Sequence, residues 1–174
     1  MTTSTPPFSR IVTIGEVPAT GRRIRITASA EECTAVARLL HLPSIASLEA
    51  EMTVTLLSRD GLAVSGQVKA QLTQTCALTA EDFDSDVIAP VEIRYSPDGR
   101  DPAAELDLSD LIDPEGEDPP DLMVGGRVDL GVVATEFLAL SLDPYPRKPG
   151  AAFEEDPTEA GGHPFAALSA LKKS

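Results

Sequence analysis

The chain predicts an α+β fold: an antiparallel sheet that could curl toward a barrel, two packed helices, an acidic loop-rich segment and a flexible C-terminal tail. Three observations carry this. Two long apolar/polar alternations flank an Asp-Gly pair, as in a hairpin. Two stretches with helix-capping residues repeat their apolar positions at helical spacing. Between Ser96 and Asp121, and again after Arg147, Pro, Gly, Asp and Glu replace any such period.

Length supports one domain with a tail, over 1–149 and 150–174, the acidic stretch at about 96–121 being mobile. With 42% hydrophobic residues, no Trp, five Phe and two Tyr, the core should be aliphatic. Met1 to Ser9 lacks the basic-then-apolar pattern of a signal peptide, and no run approaches a membrane span. The two cysteines make no disulfide framework, so a cytoplasmic protein is the simplest expectation.

Ile11 to Glu16 alternates as a strand, and Val17 to Gly21 is a turn-rich link. Arg22 to Thr27 reads as an edge strand with Ile24 and Ile26 on one face; its three arginines suit a solvated edge. Ser29-Ala30-Glu31-Glu32 is a capping box. Cys33, Val36, Ala37 and Leu40 follow as the apolar face of a helix that ends near His41.

Leu48 to Leu56 and Leu62 to Leu72 form the hairpin, turning at Ser58-Arg59-Asp60-Gly61. Cys76 ends the return strand. No base or helix N-terminus lies beside it in sequence, so an ordinary thiol is expected. Glu81 to Asp86 opens the acidic segment, Val87 to Tyr95 is a strand, and Pro90 favours an edge or a bulge. Ala104 to Asp113 alternates acid and aliphatic, either a short strand or an acidic arm.

The strongest helical signal starts at Asp129, a residue able to cap exposed N–H groups. Leu130, Val133, Phe137 and Leu140 repeat on one face, and Pro144 closes the helix. Glu136 sits mid-helix, either solvent-facing or turned to a partner. Past the linker, His163 to Lys173 predicts a short helix with Phe165, Leu168 and Leu171 on one side; too short to stand alone, it must dock.

The acidity is concentrated. The whole chain has net charge −14, of which residues 81–121 carry −13, against +1 over 1–80 and −2 over 122–174. Such a segment repels phosphate backbones and attracts basic proteins. A search for chemistry is empty: no phosphate-cradling loop, nucleophile elbow or H-E-x-x-H. No calcium loop or zinc-ligand spacing occurs either, so no metal or cofactor is expected.

Val128-Asp129-Leu130-Gly131, then Glu136-Phe137-Leu138-Ala139-Leu140 and Pro144-Tyr145-Pro146-Arg147, resemble the signature of the YceD family, the large ribosomal RNA subunit accumulation proteins. Gln74-Thr75-Cys76 and Pro164-Phe165-Ala166-Ala167-Leu168 are similar too, so the resemblance runs from roughly Leu48 to the end. Many members have a second cysteine soon after the first, and some a cysteine cluster past the helix. Here Ala77-Leu78-Thr79 and Arg147-Lys148-Pro149-Gly150 stand there.

The resemblance implies a non-enzymatic role in accumulation or processing of large-subunit ribosomal RNA. It makes Asp129, Glu136, Pro144, Tyr145, Pro146, Arg147, Phe165, Leu168 and Leu171 candidate partner-binding residues and Cys76 a family-motif residue. The charge favours a basic ribosomal or RNA-processing protein as partner over direct RNA contact, with no membrane or DNA. Two alternatives stand beside this. One is an RNA-binding module using Arg22, Arg23, Arg25, Arg127, Arg147 and Lys148; the other is a hydrolase using Asp or Glu of the acidic segment.

Overall fold

The computed structural model describes residues 5–57, 60–97 and 120–152. The expected arm at 104–113, the Ser58-Arg59 half of the hairpin turn, most of the linker and the C-terminal helix lie outside the described residues. Among the described residues, seven strands and two helices follow in chain order: β1 (Ile11–Thr13), β2 (Arg22–Thr27), α1 (Ala30–Leu39), β3 (Ser44–Leu56), β4 (Leu62–Thr75), β5 (Asp82–Ser96), β6 (Asp121–Leu122), β7 (Arg127–Asp129) and α2 (Leu130–Ser141). A 3₁₀ turn over Ile14–Glu16 replaces the second half of the expected first strand, with Glu16 accepting from the Thr13 N–H at 3.1 Å.

β2, β3, β4, β5 and β6 form one sheet in that order, antiparallel except for the β5–β6 pair; β1 and β7 make a separate two-stranded ribbon. The hairpin of β3 and β4 is its centre, in register from Leu56↔Leu62 to Ser44↔Thr73 with one irregularity near Ala46. Leu48, Ala50, Met52 and Val54 face the same side as Leu62, Val64, Val68, Ala70 and Leu72, all buried. The other face is polar, as period-two alternation demands of a sheet covered on one side only.

The sheet stays open rather than closing into a barrel. Closure would bring β2 to β5 or β6. Instead the apolar face is filled by helices, α1 over β3 and α2 over β5 and β4, whose buried side chains join the sheet's in one core. A barrel interior has no room for that layer.

α1 forms as its capping box requires. The Ser29 hydroxyl accepts from the Glu32 N–H at 3.2 Å, and the Glu32 carboxylate accepts from the Ser29 N–H at 2.8 Å. Cys33, Val36 and Ala37 are buried, and His41 follows the helix in the left-handed region, at φ 56°.

β5 begins at Asp82, five residues before the expected start. Asp82, Asp84 and Asp86 take the solvent side while Phe83, Ser85 and Val87 turn half-inward. The acids that read as a loop are the outer face of a strand.

The α2 stripe also shifts. Leu130, Val133, Ala134 and Leu138 are buried and Phe137 is half-buried, but Leu140 is 80% exposed. At about 100° per residue, the buried arc runs from Val133 through Leu130 and Ala134 to Leu138 and Thr135, which leaves Leu140 just outside it, near the helix end. Leu140→Ala should therefore change stability by less than about 0.5 kcal/mol in denaturant melts. A loss near 2 kcal/mol would mean the helix is rotated toward that side.

Candidate functional site

The signature runs the length of α2, with Glu136 to Leu140 on the helix itself and its polar contacts gathered in two places, one at each end. At its N-terminus, Asp129 is a junction. Oδ1 accepts from the N–H groups of Gly131 (3.0 Å) and Val132 (3.4 Å), the usual cap, and from the N–H of Arg10 at 2.7 Å. Oδ2 accepts from the Ser9 hydroxyl. The Leu130 N–H in turn donates to the Arg10 carbonyl at 2.9 Å.

This lays the N-terminal segment across the start of α2, with Phe8 1% exposed in the core. Gly131 is what admits it: a Cβ there would lie 2.5 Å from the Phe8 carbonyl oxygen. The Arg10 guanidinium then reaches Glu32 through two bonds of 2.8 and 3.0 Å, and rests over the Phe8 ring. That ion pair, helped by the Ser29 N–H, holds the Glu32 carboxyl below its ordinary range, and Glu32 raises Arg10 in return. One segment thus ties together the N-termini of both helices.

At the C-terminal end of α2, the chain turns through an Asx-type bond from the Tyr145 N–H to Asp143 at 2.9 Å. It then crosses the β4–β5 connection. Ala77 N–H donates to the Pro146 carbonyl at 2.8 Å, Lys148 N–H to the Cys76 sulfur at 3.4 Å, and Lys148 Nζ to Glu81 at 3.0 Å. The connection is itself closed by Cys76 N–H to Glu81 carbonyl (2.8 Å) and Ala80 N–H to Cys76 carbonyl (2.9 Å).

So Cys76 is not the isolated thiol that its sequence neighbours imply. It is 1% exposed, and the Thr79 hydroxyl and then the Lys148 N–H pull its pKa down to about 6. The donors come from a tight turn and from a strap 72 residues away, neither of which local sequence displays. A thiolate formed in the folded state below the unfolded thiol's value of about 8.5 stabilises the fold above that value. The contribution is lost as pH falls through about 6. In denaturant melts, wild type should therefore gain stability relative to Cys76→Ser as pH rises from 6 to 8.5; parallel profiles would show that the sulfur stays protonated.

The structure brings Cys76 together with Pro146 and its neighbour Lys148, and sets Asp129 apart at the other helix end. Glu136, Pro144, Tyr145 and Arg147 are exposed, Tyr145 at 73%. Burial first, then the charges of Glu136 and Asp121, push the Tyr95 phenol up to about 12. Phe165, Leu168 and Leu171 lie outside the described residues. Ser9, Arg10, Glu81 and Thr79 were not expected at these places.

The basic side chains fall into separate groups. Arg23 and Arg25 lie on edge strand β2, ion-paired with Glu51 and Glu49 at 2.7 Å each, beside Arg22. Lys148, in the segment after α2, pairs with Glu81 of the β4–β5 connection, at the far end of β4 from the row holding Arg22, Val54 and Val64. Arg127 belongs to the β1–β7 ribbon. Among the described residues, no three His, Cys, Asp or Glu side chains gather as a metal site requires, and no helix is long and apolar enough to cross a membrane.

No curated protein and no solved structure matches the chain. A family model does, that of the large ribosomal RNA subunit accumulation protein YceD, over residues 64–172. That span holds most of β4, then β5, α2, Cys76 and the strap, while the segment that clasps Asp129 and Glu32 precedes it. With the signature residues placed and well over half of the chain matched, the protein belongs to the YceD family of factors in large-subunit ribosomal RNA accumulation.

Proposed function

We propose that the chain is a non-enzymatic cytoplasmic factor in large ribosomal subunit biogenesis, promoting accumulation or processing of large-subunit ribosomal RNA through a basic protein partner. Family membership supports the process. The observation that carries the choice of partner is the state of the basic side chains: Arg23 and Arg25 on β2 and Lys148 after α2 each face a carboxylate, and Lys148 lies apart from the β2 arginines. Phosphate recognition needs Lys and Arg gathered and free to displace counterions. A net charge of −14 opposes it further and draws basic proteins instead.

The partner-facing surface is assigned to the exposed side and exit of α2: Glu136, Pro144, Tyr145, Pro146 and Arg147, with Asp129 at its start. Phe165, Leu168 and Leu171 of the tail add a second contact. The test is affinity capture from native lysate with and without nuclease. A basic ribosomal or RNA-processing protein should remain after nuclease. Association with it should slow as ionic strength rises past about 0.15 M, where the Debye length is about 8 Å. Neutralising Asp110, Asp113, Glu115, Glu117 and Asp118 should flatten that dependence. Capture that vanishes with nuclease would overturn the protein-partner reading in favour of RNA.

A further inference from the structure

Among the described residues, β5 is an edge over most of its length. β6 pairs only with Tyr95 and Ser96, and no described residue pairs with the outer side of β5 from Asp82 to Ile93. At about 3.3 Å per residue this leaves roughly 40 Å of backbone able to accept another strand. Along it, Asp82, Asp84, Asp86, Ile88, Pro90 and Glu92 alternate on the solvent face, all exposed. Thr75 and Thr73 on β4 donate to Asp82 (2.7 Å) and Asp84 (3.0 Å), holding those carboxylates in place on the face. Ile88 is 63% exposed, and with Pro90 and Gln67 it borders a shallow dip in the sheet surface.

Edge strands commonly carry charges and proline that discourage pairing. Here the protection has one sign. The acidic side chains of Asp82, Asp84, Asp86 and Glu92 repel a second copy of this acidic edge and disfavour a neutral strand, but they favour a basic one. Pro90 removes one backbone donor and leaves its acceptor. An apolar Ile88 in the middle of the row adds nothing to protection and is what a cross-strand pair would cover.

We propose that β5 takes an added strand: an extended basic segment of a partner protein, with Lys or Arg opposite Asp82, Asp84, Asp86 and Glu92 and an apolar residue against Ile88. Main-chain bonds along the edge supply affinity, and the alternating side chains supply choice. The idea deepens the proposed function, on which it rests for the partner being a basic protein. It adds a place distinct from the exit of α2.

The probe is a synthetic peptide, acetyl-Lys-Thr-Thr-Thr-Val-Thr-Lys-Thr-Lys-Thr-Lys-amide, whose four Lys and one Val share a face when extended and match Glu92, Asp86, Asp84, Asp82 and Ile88 in an antiparallel register; it is added to the full-length protein. A control peptide has the same sequence with alternate backbone nitrogens methylated, so charge is kept and edge pairing is lost. At saturating peptide, amide exchange across Asp82 to Glu92 should slow about tenfold or more. The methylated peptide should bind about tenfold more weakly, as should the wild-type peptide to Asp82→Asn/Asp84→Asn/Asp86→Asn protein.

Equal binding by the methylated peptide would reduce the effect to charge and overturn strand addition, as would no binding at about 1 mM. Protection, without peptide, of the β5 amides that point away from β4 would mean the edge is already covered. It would be covered by a second copy if the protection grows with protein concentration, and by the chain's own segment if it does not. A negative peptide result leaves nuclease-resistant capture standing, and loss of that capture leaves the peptide result standing, so the two readings fail separately.

Discussion

Replacing Gly66 with alanine should lower stability by about 3–5 kcal/mol, seen as a lower denaturant midpoint with an unchanged slope. Gly66 lies mid-β4, opposite Met52 on β3 and Val91 on β5, with φ 155°. A Cβ there would stand 2.1 Å from the Glu51 carbonyl oxygen and 2.8 Å from the Met52 Cα. Both obstacles are backbone, so no side-chain rotation relieves them. β3 has nowhere to retreat either, because Met52 (1% exposed) and Val54 (0%) are packed in the core beneath the helices. For a chain of this size the loss corresponds to a fall in melting temperature of roughly 10–15 °C. Gly15→Ala is the matched control: nothing lies within 4 Å of its added carbon, and its effect should stay within about 0.5 kcal/mol. A loss under about 1 kcal/mol for Gly66→Ala would show that the central strand pair slides to make room.

Where one physical signal acts locally, the chain was readable. Alternation of Leu48 to Leu56 against Leu62 to Leu72 specified the hairpin and its buried face, because a one-residue slip would turn every apolar side chain outward. Ser29 with Glu32, and Asp129 before Leu130, marked helix starts through bonds made within four residues. β5 was harder. Its first half presents acids to water, and an edge strand covered on one face tolerates them, so Asp82-Phe83-Asp84-Ser85-Asp86 carries the composition of a loop. Leu140 was misplaced because a helical stripe read from four leucine-like positions fixes the arc only to within a residue or two.

The clasps lay beyond reach for a different reason. Ser9 and Arg10 meet Asp129 about 120 residues on, and Lys148 meets Cys76 across 72. Their chemistry is ordinary polar pairing that any surface could offer. Composition makes such partners possible everywhere, and only the fold selects one. Cys76 illustrates the consequence, since beside the nearby Thr79 hydroxyl its acidity rests on the Lys148 amide, which sequence distance hides.

Asp129→Ala should cost about 2–4 kcal/mol, more than loss of a helix cap alone. Removing a cap costs roughly 1 kcal/mol, with 2 as an upper value. Here the same carboxylate also receives the Arg10 N–H and the Ser9 hydroxyl, both in partly buried surroundings. Stranding those donors adds about 1–3 kcal/mol. It should also loosen Phe8, whose backbone is pressed against Gly131. Asp129→Asn separates the contributions. An amide oxygen in the Oδ1 position can still accept from Gly131, Val132 and Arg10, so less than about half of the alanine loss is expected. Glu32→Gln in the same background reports on the far end of the clasp through Arg10. Coupling between positions 32 and 129 above about 0.5 kcal/mol in a double-mutant cycle would show that the two helix starts are tied, and additivity would show them independent. Asp129 lies in the signature segment, so the asparagine variant also decides what the residue is for. If it folds well and keeps nuclease-resistant capture of the partner, the aspartate serves the clasp. If it folds well and loses capture, the carboxylate is itself a contact.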